Sequence, residues 1–130
     1  MPRKPSRKSL VKKLDDIFSK YVRMVNADPH TGLNSCYTCG LVKHWKELQC
    51  GHFQTRGHYM TRWNPDNCRP QCGRCNMLSG EQYRFGLELD REFYSGKSEE
   101  LERLAHKTAK FSDAELLEMI EHFDQEVDKL

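Results

Sequence analysis

Apolar side chains recur every three or four positions through the first part of the chain. This is the spacing of one face of an α-helix, so the pattern predicts a helix over residues 9–27 with a single apolar face. Asp28-Pro29 and Thr31-Gly32 are helix breakers that end it. The apolar positions are Leu10, Val11, Leu14, Ile17, Phe18, Tyr21, Val22 and Val25.

The middle of the chain, residues 33–67, is rich in glycine, aromatic and turn residues and has no long helical period. We therefore expect a tight knuckle that leads into a short, irregular β-hairpin. Helix is predicted to resume near Cys72.

The C-terminal part, residues 81–130, has helical periodicity with a break at Ser95-Gly96. Its first helix is predicted to align Tyr83, Leu87, Asp90 and Tyr94 on one face, and these stripes are interpreted as core packing. Ser98 is expected to cap a second helix that buries Leu101, Leu104 and Ala105. A capping box at Ser112 and Glu115, preceded by Phe111 as a staple, opens a third helix with Leu116, Ile120, Phe123 and Val127 inward.

Length and composition define one small domain. The chain has 130 residues, 37% of them hydrophobic, and a mean hydropathy of -0.85, so its core is thin and a structural metal would supplement it. The predicted class is α+β, mostly helical. Residues 1–8 form a basic flexible arm, residues 9–27 the N-terminal helix, residues 33–80 a metal-stabilised core, and residues 81–130 a helical tail.

Neither an apolar run of the roughly 20 residues that span a bilayer nor the pattern of an export signal is present in the sequence. A soluble, cytoplasmic protein without a membrane partner is therefore predicted.

Charge is segregated along the chain. Residues 1–30 carry +5, residues 40–80 carry +4 and residues 81–130 carry -7. A basic front part favours a polyanionic partner such as DNA, because clustered Lys and Arg neutralise phosphates. A solvated surface of mixed charge is the alternative, and charge alone leaves it open.

Two Cys-x-x-Cys pairs, Cys36 with Cys39 and Cys72 with Cys75, are separated by 32 residues. This spacing predicts a structural zinc site, since each pair binds a tetrahedral ion from one side. Reduced thiolates fit better than disulfides. Cys50 and Cys68 are left over; small buried side chains are favoured over extra ligands, although a shifted ligand set that includes Cys68 stays open.

The order of these motifs is informative: a Cys pair, Gly51-His52, Asn67, and then a second Cys pair followed at once by Asn76. It resembles the HNH, or ββα-metal, nucleases of the four-cysteine type. The stretch from Cys50 to Asn76 is similar to the phage NinG (Rap) recombination nucleases. The resemblance implies a zinc-stabilised ββα core, Mg²⁺ or Mn²⁺ as the working ion, and endonucleolytic cleavage of DNA, including branched recombination intermediates.

The resemblance implies three catalytic residues. His52 would be the general base that takes a proton from water, Asn67 would fix the loop behind it, and Asn76 would bind the working ion together with His52. The structural alternatives are a buried, hydrogen-bonded histidine, a turn asparagine and a helix-start hydrogen bond.

Gly51 departs from the family pattern, which often has an acidic residue or histidine there. The missing ligand would come from His52 itself, His58, Glu47 or the substrate phosphate, and the sequence does not choose.

Four arginines surround the motif: Arg56, Arg62, Arg69 and Arg74. Arginines at this density suit phosphate binding, with Arg56 and Arg62 the favoured pair. Ion pairs with Glu47 or Asp66 are the alternative, but these are the only two acids in the segment, so they cannot take up all four. His58 is open to several roles: ion ligand, DNA contact or exposed residue.

Two functions from different classes remain. The first is a DNA endonuclease, and the second is a zinc-stabilised DNA- or protein-binding module whose nuclease site has decayed. The helices after Gly80 fit a homodimer interface and a monomer core equally well.

Overall fold

The computed structural model describes residues 4–78, apart from the side chain at position 78, and residues 81–130. Within these residues the fold is mostly helical and contains two small sheets, so the predicted α+β class is confirmed. The helices are α1 (Arg7–Met24), α2 (Tyr59–Arg62), α3 (Gln82–Glu92), α4 (Lys97–Ala105) and α5 (Asp113–Asp128). The strands are β1 (Leu33–Ser35), β2 (Val42–His44), β3 (Gln49–His52) and β4 (Cys68–Gln71). A π-helical segment spans Arg74–Leu78.

Helix α1 begins earlier than the sequence predicted. The Ser6 hydroxyl accepts a hydrogen bond from the backbone N–H of Ser9 and caps the first turn. The predicted flexible arm over residues 1–8 is therefore too long, because Arg7 and Lys8 are helical; residues 1–3 lie outside the described residues. One stripe of α1 is buried: Leu10, Leu14, Phe18 and Val22.

The four strands form two separate antiparallel pairs, β1 with β2 and β3 with β4. The turn between β1 and β2 carries the first Cys-x-x-Cys pair, and the second pair follows β4 directly. In the β3–β4 pair, Gln49 lies opposite Gln71 and His52 lies opposite Cys68. The second cysteine pair and His52 are thus at opposite ends of one hairpin. The predicted core over 33–80 includes positions 79 and 80, which lie outside the described residues.

The interior face of α3 differs from the predicted one. Phe85 and Leu89 are buried against α4, whereas Tyr83 is 83% exposed. The predicted line through Tyr83, Leu87, Asp90 and Tyr94 was wrong because two apolar stripes, two residues apart, compete on this helix. Phe53 and Tyr37 pack on the Phe85 side and decide between them.

The predicted cap of α4 was also wrong. Gly96 is the N-cap residue, with a φ of +99°, a left-handed conformation that favours glycine. Ser98 lies inside the helix instead, where its backbone N–H and hydroxyl both bond the carboxylate of Asp90.

Helix α5 has the predicted capping box, in which Ser112 and Glu115 bond each other's backbone N–H groups at 3.1 Å. Phe123 of α5 packs edge to face against Phe18 of α1, with ring centroids 4.9 Å apart. The α1–α5 pair, Trp63 and Cys68 enclose the main core. Among the described helices, none combines the length and the apolar composition that crossing a membrane requires.

Candidate metal centre and catalytic pocket

The four predicted zinc cysteines meet in one cluster. The sulfur atoms of Cys36, Cys39, Cys72 and Cys75 all lie within 4.8 Å of one another, and those of Cys39 and Cys72 are 3.7 Å apart. A tetrahedral zinc ion with Zn–S bonds of about 2.3 Å holds its sulfurs about 3.8 Å apart. Donor type and spacing therefore fit a structural ion such as zinc.

Hydrogen bonds prepare one of these thiols for a metal. Burial opposes ionisation of Cys36, but bonds from the Thr38 hydroxyl and from backbone N–H groups outweigh it and lower the pKa of the thiol to about 6. Thr38 itself accepts a bond of 3.1 Å from the Gln71 side chain. A thiolate is the form that binds zinc, so this chain of bonds favours the liganding state.

Gln71 also explains why glycine precedes His52. A Cβ atom added at Gly51 would lie 1.9 Å from the Gln71 Oε1 atom. The Gln71 side chain crosses the strand directly over Gly51 on its way to Thr38. Glycine at position 51 thus leaves room for Gln71, which supports the cysteine cluster through Thr38.

His52 ends strand β3 with a defined tautomer. Its Nε2 atom lies 2.9 Å from the backbone carbonyl of Arg62, and because a carbonyl only accepts, Nε2 carries the proton. The Nδ1 atom then holds the lone pair. Burial lowers the pKa of His52 below its ordinary value, so the imidazole is neutral near pH 7.

Asn67 is fully buried, at 0% exposure, beneath the connection between β3 and β4. Its amide oxygen accepts from the backbone N–H of Gln54 at 2.8 Å, and its amide nitrogen donates to the carbonyls of Gln54 and Thr61. These bonds hold both ends of the segment that leads to Arg62, whose carbonyl orients His52. Asn67 thus lies behind His52 and does not line the cavity in front of it.

An open cavity of about 380 Å³ lies in front of His52. Asn76 reaches it from the π-helical segment and donates a 2.8 Å hydrogen bond to Gln49 through its amide nitrogen. The structure therefore brings His52 and Asn76 to one cavity. The cavity is lined by Asp15, Asp16, Phe18, Ser19, Arg23, Leu48, Gln49, Cys50, His52, Arg56 and Asn76.

Sequence reasoning missed the contribution of α1 to this cavity. Asp15 receives two hydrogen bonds from Arg62, of 2.6 and 3.1 Å, and one of 2.9 Å from the Trp63 indole. Burial alone would raise the pKa of Asp15, but these bonds outweigh it and hold the pKa below its ordinary value. Asp16 is exposed at the same rim and pairs with Lys12. The one signal was a pair of acids within an otherwise basic helix.

The four arginines differ in their surroundings. The Arg62 side chain is only 10% exposed and is held by Asp15, and Arg69 is bound by Glu92 at 2.8 Å. The counterions thus come from α1 and α3, and not from Glu47 or Asp66, the two acids weighed from the sequence. Arg56 is exposed at the cavity, with a longer 3.4 Å contact to Asp15, and Arg74 is exposed beside the cysteine cluster.

The other candidate ligands lie elsewhere. The His58 ring packs 5.1 Å from that of His106, and neither His58 nor Glu47 is among the described residues that line the cavity. Cys68 is buried, at 1% exposure, and Cys50 is half-buried. Both lie beside His52.

Comparison with known proteins assigns the chain to a family. A family model described as bacteriophage lambda NinG protein matches residues 3–130. The chain therefore belongs to the NinG family of phage proteins. Neither the curated proteins nor the solved structures contain a significant match to it.

Proposed function

We propose that this NinG-family protein is a metal-dependent DNA endonuclease of the HNH, or ββα-metal, class, which hydrolyses phosphodiester bonds during phage recombination, including those of branched DNA. The observation that carries the proposal is the state of His52: a neutral imidazole, fixed through Nε2, with Nδ1 as its lone-pair atom, beside an open cavity. In this proposal, the β3–β4 hairpin would be the two strands and the π-helical segment the helix of such a core.

In this proposal, Nδ1 of His52 accepts the proton of the attacking water molecule. The Arg62 carbonyl keeps the ring in the tautomer that can do so, because its hydrogen bond needs the proton on Nε2. Asn67 fixes the chain that carries this carbonyl. The base is thus set by buried polar contacts before DNA arrives, which is the preorganisation that catalysis requires.

In this proposal, the divalent ion binds at the polar end of the cavity. Asn76 provides an amide oxygen and Asp16 a carboxylate, and oxygen donors are the ones that Mg²⁺ and Mn²⁺ prefer. Against the expectation from the sequence, His52 is not a ligand of this ion in the proposal, because its one lone pair, on Nδ1, accepts the proton. When bound there, the ion would polarise the scissile phosphate and stabilise the 3′ leaving oxygen. In this proposal Asp16, on α1, takes the place of the ligand missing at Gly51.

Two of the four arginines are exposed and would contact the phosphate backbone of DNA. Arg56 stands at the cavity, where its charge would neutralise the scissile phosphate, and Arg74 lies at the cysteine end of the hairpin. Arg62 and Arg69 act through ion pairs that position the core. The exposed lysines Lys8, Lys12 and Lys13 of α1 extend the basic surface.

A zinc-stabilised binding module is the second candidate, and two observations favour it. The half-buried carboxylate of Asp15, at the same cavity, is engaged by Arg62 and Trp63, and Gly51 has no room for a ligand. Such a module would bind DNA or protein through the same basic surface without cleaving.

Cleavage of supercoiled plasmid and of a synthetic four-way junction, with Mg²⁺ or Mn²⁺ added to the zinc-loaded protein, separates the two candidates. The nuclease proposal expects nicked and linear plasmid from the wild type and none from His52→Ala. The ratio of junction to plasmid cleavage measures the preference for branched DNA. DNA binding without cleavage by the wild type would favour the binding module.

A further inference from the structure

A second cluster of metal-binding side chains lies at the other end of the β3–β4 hairpin. Cys50 and His52 are two residues apart on β3, so they share one face, and Cys68 lies opposite His52 on β4. One ligand atom from each of the three residues lies within 4.8 Å of the others. Cys50 and Cys68 both carry free thiols.

The spacing is close to that of a metal site. Ligands of a tetrahedral zinc ion stand about 3.5–3.8 Å apart, so the three atoms, which lie within 4.8 Å of one another, need to approach by at most about 1.3 Å. The backbone already fixes them, since all three residues belong to one paired strand register. A small side-chain adjustment would complete the set.

The donor type selects a different class of ion from the one that a nuclease uses. Two thiolates and one imidazole suit Zn²⁺, Co²⁺ or Cd²⁺, whereas Mg²⁺ prefers oxygen donors. Three protein ligands with a fourth position open to solvent form a complete site of this kind. Cys50 and His52 line the cavity, which gives an ion its entry path, and Cys68 is buried beside them.

We propose that Cys50, His52 and Cys68 form a second metal site, which binds a thiophilic divalent ion such as Zn²⁺. Binding of this ion inhibits DNA cleavage at the cavity. Binding releases the two thiol protons to solvent and uses the lone pair of His52 Nδ1, because Nε2 donates to the Arg62 carbonyl. The same lone pair cannot accept a proton from water while it holds an ion. The inhibitory consequence rests on the proposed nuclease function; the binding itself does not.

Cobalt titration under reductant tests the binding directly. In the zinc-loaded protein, Co²⁺ leaves the four-cysteine site occupied, because it ranks below Zn²⁺ in affinity for such ligands. We expect the wild type to bind one Co²⁺ with a thiolate charge-transfer absorption. Cys50→Ser and His52→Ala should each bind Co²⁺ roughly tenfold or more weakly, so that the band is much weaker than that of the wild type at the same Co²⁺ concentration. His30→Ala, which alters an exposed histidine away from the cavity, is the matched control and should keep the band.

Retention of the first zinc ion in every variant shows that the fold is intact. Absence of a thiolate band in the wild type, or an unchanged band in Cys50→Ser, would overturn the proposal.

A second arm measures inhibition. Addition of Zn²⁺ beyond the first equivalent should stop Mg²⁺-supported cleavage by the wild type. Cys50→Ser should keep most of the cleavage rate that it shows without this excess Zn²⁺. Equal inhibition of both proteins would overturn the switch. If no protein cleaves DNA while the cobalt band appears and depends on Cys50, the site stands and the nuclease function fails.

Discussion

Asp15 on α1 holds the guanidinium of Arg62 through hydrogen bonds of 2.6 and 3.1 Å. The backbone carbonyl of the same arginine accepts the Nε2 proton of His52. One residue thus connects the N-terminal helix with the orientation of the proposed base. This contact makes α1 part of the site, although α1 lies far from the cysteine motifs in sequence.

Asp15→Asn should destabilise the protein, because it leaves the Arg62 charge buried without its partner. The expected loss of unfolding free energy is about 2–3 kcal/mol, slightly below the cost of breaking a fully buried pair, since Asp15 is partly exposed. Urea denaturation of the zinc-loaded protein measures it. Asp16→Asn is the control: its partner Lys12 is exposed, so its effect should be small. Equal effects of the two substitutions would contradict the role given to Asp15.

Gly51→Ala should weaken the hold on zinc without changing a cysteine. The new methyl group would force Gln71 off Thr38, whose hydroxyl bonds Cys36, and overpacking of this kind costs about 1–3 kcal/mol. The measurement is the rate of zinc release to a chelator. Gly57→Ala is the control, since a Cβ there meets its nearest atom at 3.9 Å. Faster release from Gly57→Ala than from Gly51→Ala would argue against the Gln71 chain.

Removal of one cluster cysteine should empty the structural metal site. Cys39→Ser loses one of four sulfur donors, and we expect its zinc content to fall by about one ion per chain relative to the wild type, together with a lower Tm. Cys50→Ser removes a thiol outside the cluster and should keep its first zinc ion. Metal analysis of protein purified without added metal gives both contents. A full complement of zinc in Cys39→Ser would show that the ligand set is different.

The cleavage rate should depend on pH through His52. A general base works only in its neutral form, and burial lowers the pKa of His52 below 6.5, so the rate should fall only as the pH drops through a midpoint below 6.5. Single-turnover rates at saturating Mg²⁺ measure this midpoint. Zinc content must be followed in parallel, because protons compete for the cysteines. A midpoint well above 6.5 with zinc retained would contradict a buried, neutral base.

Much of this fold could be predicted from local patterns in the sequence. The 3.6-residue pattern located α1 within three residues at each end, and the capping box located the start of α5. The four-cysteine cluster was predictable from the spacing of the cysteines, because each Cys-x-x-Cys pair can provide two of the four ligands of a tetrahedral zinc ion. The family match confirms the NinG family, which the stretch from Cys50 to Asn76 resembles.

Relationships between distant segments were out of reach. Asp15 and Arg62 are 47 residues apart, and Arg69 finds Glu92 on a helix that the sequence did not connect with it. No local pattern tells which acid will face which arginine once the chain has folded. The face of α3 was misassigned for the same reason, since Phe53, from the 53–67 connection, helps select Phe85 over Tyr83.

His52 is the proposed general base, and a comparison of two histidine variants tests this role. Single-turnover cleavage of DNA by His52→Ala should be roughly a hundredfold or more slower than by the wild type, with DNA affinity and zinc content retained. His30→Ala should cleave like the wild type. A His52→Ala protein that cleaves within about threefold of the wild-type rate would contradict the assignment of the site.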